Sequence, residues 1–186
     1  MIYPIVALGH PVLKERASEI DLKDPDLKTL ISDMYETMYQ ASGVGLAAPQ
    51  IGKSVRLFVI DAEPMDEENL KGTKMAFINP EIIGEDGEPW PYEEGCLSIP
   101  GIREAVKRPE KITLQYFDEE GKLHKKTFDG MLARVIQHEY DHLEGRLFID
   151  YLSPFRKKLI QNKINDILKG RAKAEYAIRF VPAGKR

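Results

Sequence analysis

The stretch QHEYDHLEG, residues 137–145, places two histidines four apart with a glutamate directly after the first. It closes the segment DGMLARVIQHEYDHLEG, in which Met131, Leu132, Val135 and Leu143 form an apolar side, Asp129 precedes as a cap and Gly145 follows as a stop. In a helix, residues i and i+4 share a face. His138 and His142 can therefore offer two imidazole nitrogens to one metal ion, while Glu139 stays close enough to handle a bound water. That is the physical content of an HExxH pattern. The bland alternative is an amphipathic helix with two polar histidines on its rim. Which of the two holds depends on what the rest of the chain wraps around this helix.

Upstream, DPDLKTLISDMYETMYQAS (24–42) predicts a helix with Asp24 as N-cap, Pro25 at the first helical position and Gly43 as stop. Its stripe of Leu27, Leu30, Ile31, Met34 and Met38 reads as core. GVGLAAPQIG (43–52) reads as a small-residue loop, and VRLFVID (55–61) as a buried strand. MAFINPEII (75–83) and KITLQYFD (111–118) are further strands, and DEEG followed by KLHKKTFD suggests a hairpin. EDGEPWPYEEGCLSIPG is too rich in Gly and Pro to be regular throughout. SPFRKKLIQNKINDILKG is a third helix, with Ser153 as cap, Pro154 at the first position and Gly170 beyond its end. There its apolar set, Phe155, Leu159, Ile164, Ile167 and Leu168, is expected to dock and leave the cations outward. The expectation is a single α+β domain over residues 1–186, with antiparallel and mixed strands wrapped around the histidine helix and one helix towards each end.

The 186 residues suit one well-cored domain, and 42% hydrophobic with 31% charged residues describes a globular rather than a disordered chain. No apolar run approaches the roughly 20 residues of a membrane span. The start, MIYPIVALGHPVLKERA, resembles neither a signal nor a transit peptide, so a cytoplasmic protein is expected. A single cysteine, Cys96, excludes an internal disulfide and a four-cysteine zinc module. The net charge of −3 hides an asymmetry: residues 153–186 hold ten Lys/Arg against Asp166 and Glu175, a balance of +8, which leaves residues 1–152 at −11. His10 and His124 read as surface residues without a role.

Two histidines leave a tetrahedral site one protein ligand short if a position is to stay open for water. LEGRLF (143–148) does not continue the longer HExxHxxGxxH spacing. Cys96, in EEGCLSIPG, is the one soft donor in the chain, although a lone cysteine is more often a small core residue.

Taken together and in order, GVGLAAPQIG, EGCLSIP and QHEYDHLEG resemble the three signature segments of peptide deformylases. The resemblance runs from PIVALGHPVLKERA to the last helix. It implies a hydrolase that removes the formyl group from the N-formylmethionine of new polypeptides, with one divalent ion held by Cys96, His138 and His142. On that resemblance the ion would make hydroxide available near neutral pH, Glu139 would act as general base and acid, and Gln50 and the Leu97 N–H would meet the oxyanion. The stretch with Gly43 and Gly45 would pair with the substrate backbone, Met131, Arg134 and Val135 with Val44, Tyr92 and Leu97 would wall the methionine side-chain pocket, and Glu94 would complete the substrate site. The stem of Arg134 is expected to pack there with its head in solvent. Ferrous iron is the metal implied in the cell, with zinc, nickel or cobalt in purified protein. The implied partners are nascent formyl-methionyl chains and, through the basic tail, the ribosome, with no membrane contact and a monomeric state. Two other readings predict different behaviour. An HExxH endopeptidase needs a third His or Glu ligand, and a structural metal module needs a saturated four-ligand ion.

Overall fold

The structure, a computed structural model, describes residues 1–182. Lys185 and Arg186, the last cations of the basic tail, lie outside the described residues. In chain order come β1 (Ile5–Val6), α1 (Leu27–Gln40), β2 (Gly45–Ala47), β3 (Leu57–Ile60), β4 (Met75–Asp86) and β5 (Trp90–Cys96). They are followed by β6 (Ile99–Arg108), β7 (Lys111–Phe117), β8 (Leu123–Asp129), α2 (Gly130–Leu143), α3 (Pro154–Leu168) and β9 (Ile178–Arg179). The architecture is α+β.

An antiparallel sheet of order β2-β3-β4-β7-β8 forms the centre. LFVI, the strand within VRLFVID, is apolar throughout because β3 is covered on both faces. Successive side chains point to opposite sides of a strand. Leu57 and Val59 therefore join Ile31, Met34 and Met38 of α1, while Phe58 and Ile60 join Ala133, Ile136 and Leu143 of α2. On the α2 side the rings of Phe58 and Phe77 stack at 4.6 Å and Tyr116 adds a third ring at 4.5 Å from Phe77. Among the described residues, no helix is long and apolar enough to cross a membrane.

Several elements differ from their sequence expectation, each for a local reason. α1 begins at Leu27, because Asp24 accepts from the Asp26 N–H at 2.9 Å and organises a turn ahead of the helix. Asp129 occupies the N-cap position of α2, but its side chain makes no capping bond. GVGLAAPQIG is not a loop: it supplies β2 and a 3-10 turn over Ala48–Ile51. The Gly/Pro-rich segment folds as the β5–β6 hairpin, paired from Trp90↔Arg108 to Cys96↔Ile99. Proline is tolerated there because a two-stranded hairpin leaves one edge of each strand unpaired.

α3 follows its expected signals, with the Ser153 hydroxyl accepting from the Arg156 N–H and Gly170 at φ +68°. Its docking face is narrower than expected. Ile160 and Ile167 are buried and Ile164 and Leu168 pack beside them, whereas Phe155 and Leu159 are 69% and 58% exposed. Those two lie on a neighbouring stripe of the helix that faces water. β9 then pairs in parallel with β1, Ile5 opposite Ile178.

Candidate active site

α2 lies between the sheet and the β5–β6 hairpin, so a helix that turns apolar residues to the sheet turns its polar residues to the hairpin. The HExxH spacing puts His138 and His142 on that second side, their rings 5.3 Å apart. Cys96 ends β5, just before the two-residue turn Leu97–Ser98. The register of the hairpin carries it to the helix. The Cys96 Sγ lies 3.4 Å from Nε2 of His142, and one donor atom from each of Cys96, His138 and His142 falls within 4.8 Å of the others.

Behind these donors is a buried charged network. Glu94 of β5 accepts from Nε and Nη2 of Arg108 at 2.6 and 2.9 Å, and from Nη1 of Arg134 at 3.0 Å. Its Oε2 lies 2.9 Å from Nδ1 of His138. Arg108 also donates to Asp141 at 2.7 Å, and the Tyr151 hydroxyl donates to the same carboxylate. Nδ1 of His138 is thereby fixed and its Nε2 is left for an ion, the usual way a second-layer carboxylate orients a ligating imidazole. Nδ1 of His142 has no hydrogen-bond partner among the described residues.

The electrostatics fit a cation. Burial pushes His138 towards the neutral form, but Cys96 and Glu94 on either side outweigh it and hold its pKa well above the ordinary value. Burial keeps His142 well below that value, hence neutral. Burial also opposes ionisation of Glu94, yet His138 and Arg108 outweigh it and lower the pKa below the usual carboxylate range. For Glu139 burial outweighs the pull of the same two cations. It is 5% exposed, its Oε2 has no hydrogen-bond partner among the described residues, and burial raises its pKa to about 7. A divalent ion would take the place of the proton that His138 otherwise holds between Cys96 and Glu94, and a thiolate with two imidazoles suits a borderline-soft metal.

Cys96 and His138 open onto a cleft of about 680 Å³, with His142 buried behind them. Gly43, Val44, Gly45, Gln50, Tyr92, Glu94, Leu97, Arg134, Val135 and Glu139 all line it. Met131, one turn earlier on α2, is not among the lining residues. The glycines have a steric reason. A Cβ on Gly45 would stand 2.7 Å from the carboxyl carbon of Glu139, and one on Gly43 would stand 2.8 Å from Cδ1 of Leu97. Gln50 is held by its own amide chemistry: its Oε1 accepts from the Ala47 N–H at 2.9 Å. That leaves Nε2 as a donor, 3.3 Å from the Ser98 hydroxyl and 3.5 Å from the Cys96 sulfur.

Three expectations about ionisable side chains are corrected. The Arg134 head does not reach solvent. The residue is 2% exposed, and the guanidinium donates to Glu94 and to the carbonyls of Val106 and Trp90 while stacking 4.4 Å over the Trp90 ring. Glu94 lines the cleft, but its carboxylate is turned inward to the two arginines and His138. His124, expected to be idle on the surface, bonds Asp118 at 2.6 Å and stacks on Tyr116. Arg108, Asp141 and Ser98 escaped the sequence reading. Asp141 carried a faint signal, since an acidic residue beside a ligand histidine and three positions from another invites a charged partner.

Comparison with known proteins agrees with this geometry. A family model described as polypeptide deformylase matches residues 2–158. A peptide deformylase of Cytophaga hutchinsonii is 52% identical over 180 residues, covering 97% of this chain and 98% of its own. The chain belongs to the polypeptide deformylase family. Solved structures from that family superpose on it. The Legionella pneumophila enzyme, at 42% identity, gives a TM-score of 0.80 over 93% of this chain and all of its own. The Thermotoga maritima enzyme, at 44% identity, gives 0.75 over 83% of this chain and 99% of its own. Membership makes the chain a metal-dependent hydrolase, and it sets aside the endopeptidase and structural-module readings.

Proposed function

We propose that this deformylase removes the formyl group from the formyl-methionyl end of nascent polypeptides in the cytoplasm. The observation that carries this reading is the meeting of Cys96, His138 and His142 beside a buried Glu139 at the floor of a peptide-sized cleft. Those three residues would hold one divalent ion, ferrous iron in the cell and zinc, nickel or cobalt in purified protein. When bound, such an ion polarises the formyl carbonyl and lowers the pKa of water to about 7.

The chain's own residues do the rest. Glu139, held at a pKa of about 7 by burial, takes a proton from the attacking water and returns it to the leaving amine. Nε2 of Gln50 and the Leu97 N–H donate to the formyl oxygen as it gains charge. Gln50 suits this role because it is neutral and its amide is already oriented by Ala47. The edge at Gly43–Gly45 accepts the substrate backbone as an added strand, and Val44, Leu97 and Val135 form an apolar wall for the methionine side chain.

Mass spectrometry of formyl-Met-Ala-Ser, incubated with protein loaded anaerobically with ferrous iron or nickel, tests the reading. Loss of the formyl mass alone is expected, and cleavage of an internal bond would overturn it. We further propose a monomer whose basic C-terminal segment makes weak ribosome contacts. Lys157, Lys158 and Lys163 are exposed along α3, and phosphate contacts weaken steeply as salt rises. Cosedimentation with ribosomes should then lose its salt-sensitive part when all three are changed to Glu, with hydrolysis of short peptides unchanged.

A further inference from the structure

The family model ends at residue 158, yet the chain returns to the cleft after that point. Lys173, Ala174, Glu175 and Tyr176 line it beyond the end of α3. Directly afterwards, β9 pairs with β1, so both ends of the described chain join in one ribbon. Residues flanking that ribbon hold the active-site turn. The Leu8 N–H donates to the Ser98 carbonyl at 2.8 Å, and the Tyr176 hydroxyl donates to the Leu97 carbonyl at 2.7 Å. Both carbonyls of the two-residue turn are therefore fixed from outside the hairpin. The Tyr176 side chain also packs with Leu97 against the α1 side of the core.

Peptide planes are rigid. Holding the Leu97 carbonyl sets the plane after its Cα and restrains the one before it, the Cys96–Leu97 amide. We infer that Tyr176 is a positioning residue for deformylation: residues 173–176 wall the cleft, and the Tyr176 hydroxyl holds the turn so that the Leu97 N–H is aimed before substrate arrives. This rests on Leu97 being an oxyanion donor, as proposed above. A hydroxyl that acts in this way affects the transition state more than the bound peptide, because the oxygen it indirectly serves gains charge only during reaction.

Tyr176→Phe keeps the ring and deletes the donor, which makes it the clean variant. Metal-loaded wild type and variant are compared on formyl-Met-Ala-Ser well below their melting temperatures. The variant's kcat should fall about fivefold, the usual weight of one hydrogen bond. KM, and affinity for the product peptide Met-Ala-Ser, should stay within about twofold. Amide hydrogen exchange over residues 96–99 should speed up independently of any turnover. A lower melting temperature with wild-type kcat and unchanged exchange would reduce Tyr176 to a packing residue and overturn the inference alone. A wild type inert towards formyl peptides would instead overturn the functional reading, and the inference with it.

Discussion

The two sides of α2 are built from different materials. Towards the sheet, Ala133, Ile136 and Leu143 meet Phe58, Phe77 and Phe128 in an apolar core. Towards the hairpin, Arg134, His138, Asp141 and His142 meet Glu94, Cys96 and Arg108, almost as deeply buried and nearly all ionisable. Apolar burial stabilises by removing surface from water, whatever the orientation of the neighbours. A buried charge is tolerated only when each partner is in place. The first side should therefore govern how stable the protein is, and the second should govern stability and chemistry together.

The largest effect should come from the donor set. Cys96→Ala leaves two imidazoles, a poor chelator, so metal and activity should be lost together. Metal analysis of the purified variant decides this, and one ion retained per chain would remove Cys96 from the site. Next comes Glu139→Ala, which should keep the ion and cut turnover by roughly 10²–10⁴, the usual size of a lost general base. Survival of both metal and rate would remove Glu139 from the chemistry.

The contrast itself is sharpened by a matched pair. Arg108→Leu strands Glu94 and Asp141 without their shared partner and should cost about 3–5 kcal/mol. Phe77→Ala opens a cavity in the aromatic stack and should cost a similar amount, about 3–5 kcal/mol. Denaturant unfolding should not distinguish the two. Metal affinity should, because Arg108, unlike Phe77, helps hold the carboxylate that orients His138. Equal metal affinity in both variants would mean that the charged side of α2 is merely an alternative core.

The smallest effect is on pH dependence. Glu94 has a lower pKa folded than the ordinary value of 4.5 expected unfolded. Its contribution is therefore complete above that ordinary value and lost as pH falls towards the folded pKa. Glu94→Gln should be less stable near neutrality and flatter in its acid limb, measured as melting temperature against pH below about 4.5. A variant whose acid limb matches wild type would place the relevant titration elsewhere.

The recurrences that position α1, α2 and β3 were readable because each reports how a local period meets a covered face. The same holds for Ser153, Pro154 and Gly170 around α3, where capping is a matter of a few adjacent residues. The β5–β6 hairpin was not readable. Prolines and glycines argue against strands locally, and the long register from Trp90 to Cys96 exists only because β6 lies alongside.

By itself, the sequence determined the ligand types and their spacing on α2. A four-residue interval lays two imidazoles on one helical face wherever that helix is placed. It also marked the small residues of GVGLA, whose lack of bulk is intrinsic. Only the tertiary structure decided that Cys96 meets those imidazoles, that Arg134 is buried under Trp90 rather than solvated, and that Tyr176 reaches the Leu97 carbonyl. These contacts join residues 42 to 79 positions apart in the chain. At such separations no local period carries the information, because hydrogen bonds and charge pairing become specific only after packing has brought the partners within reach.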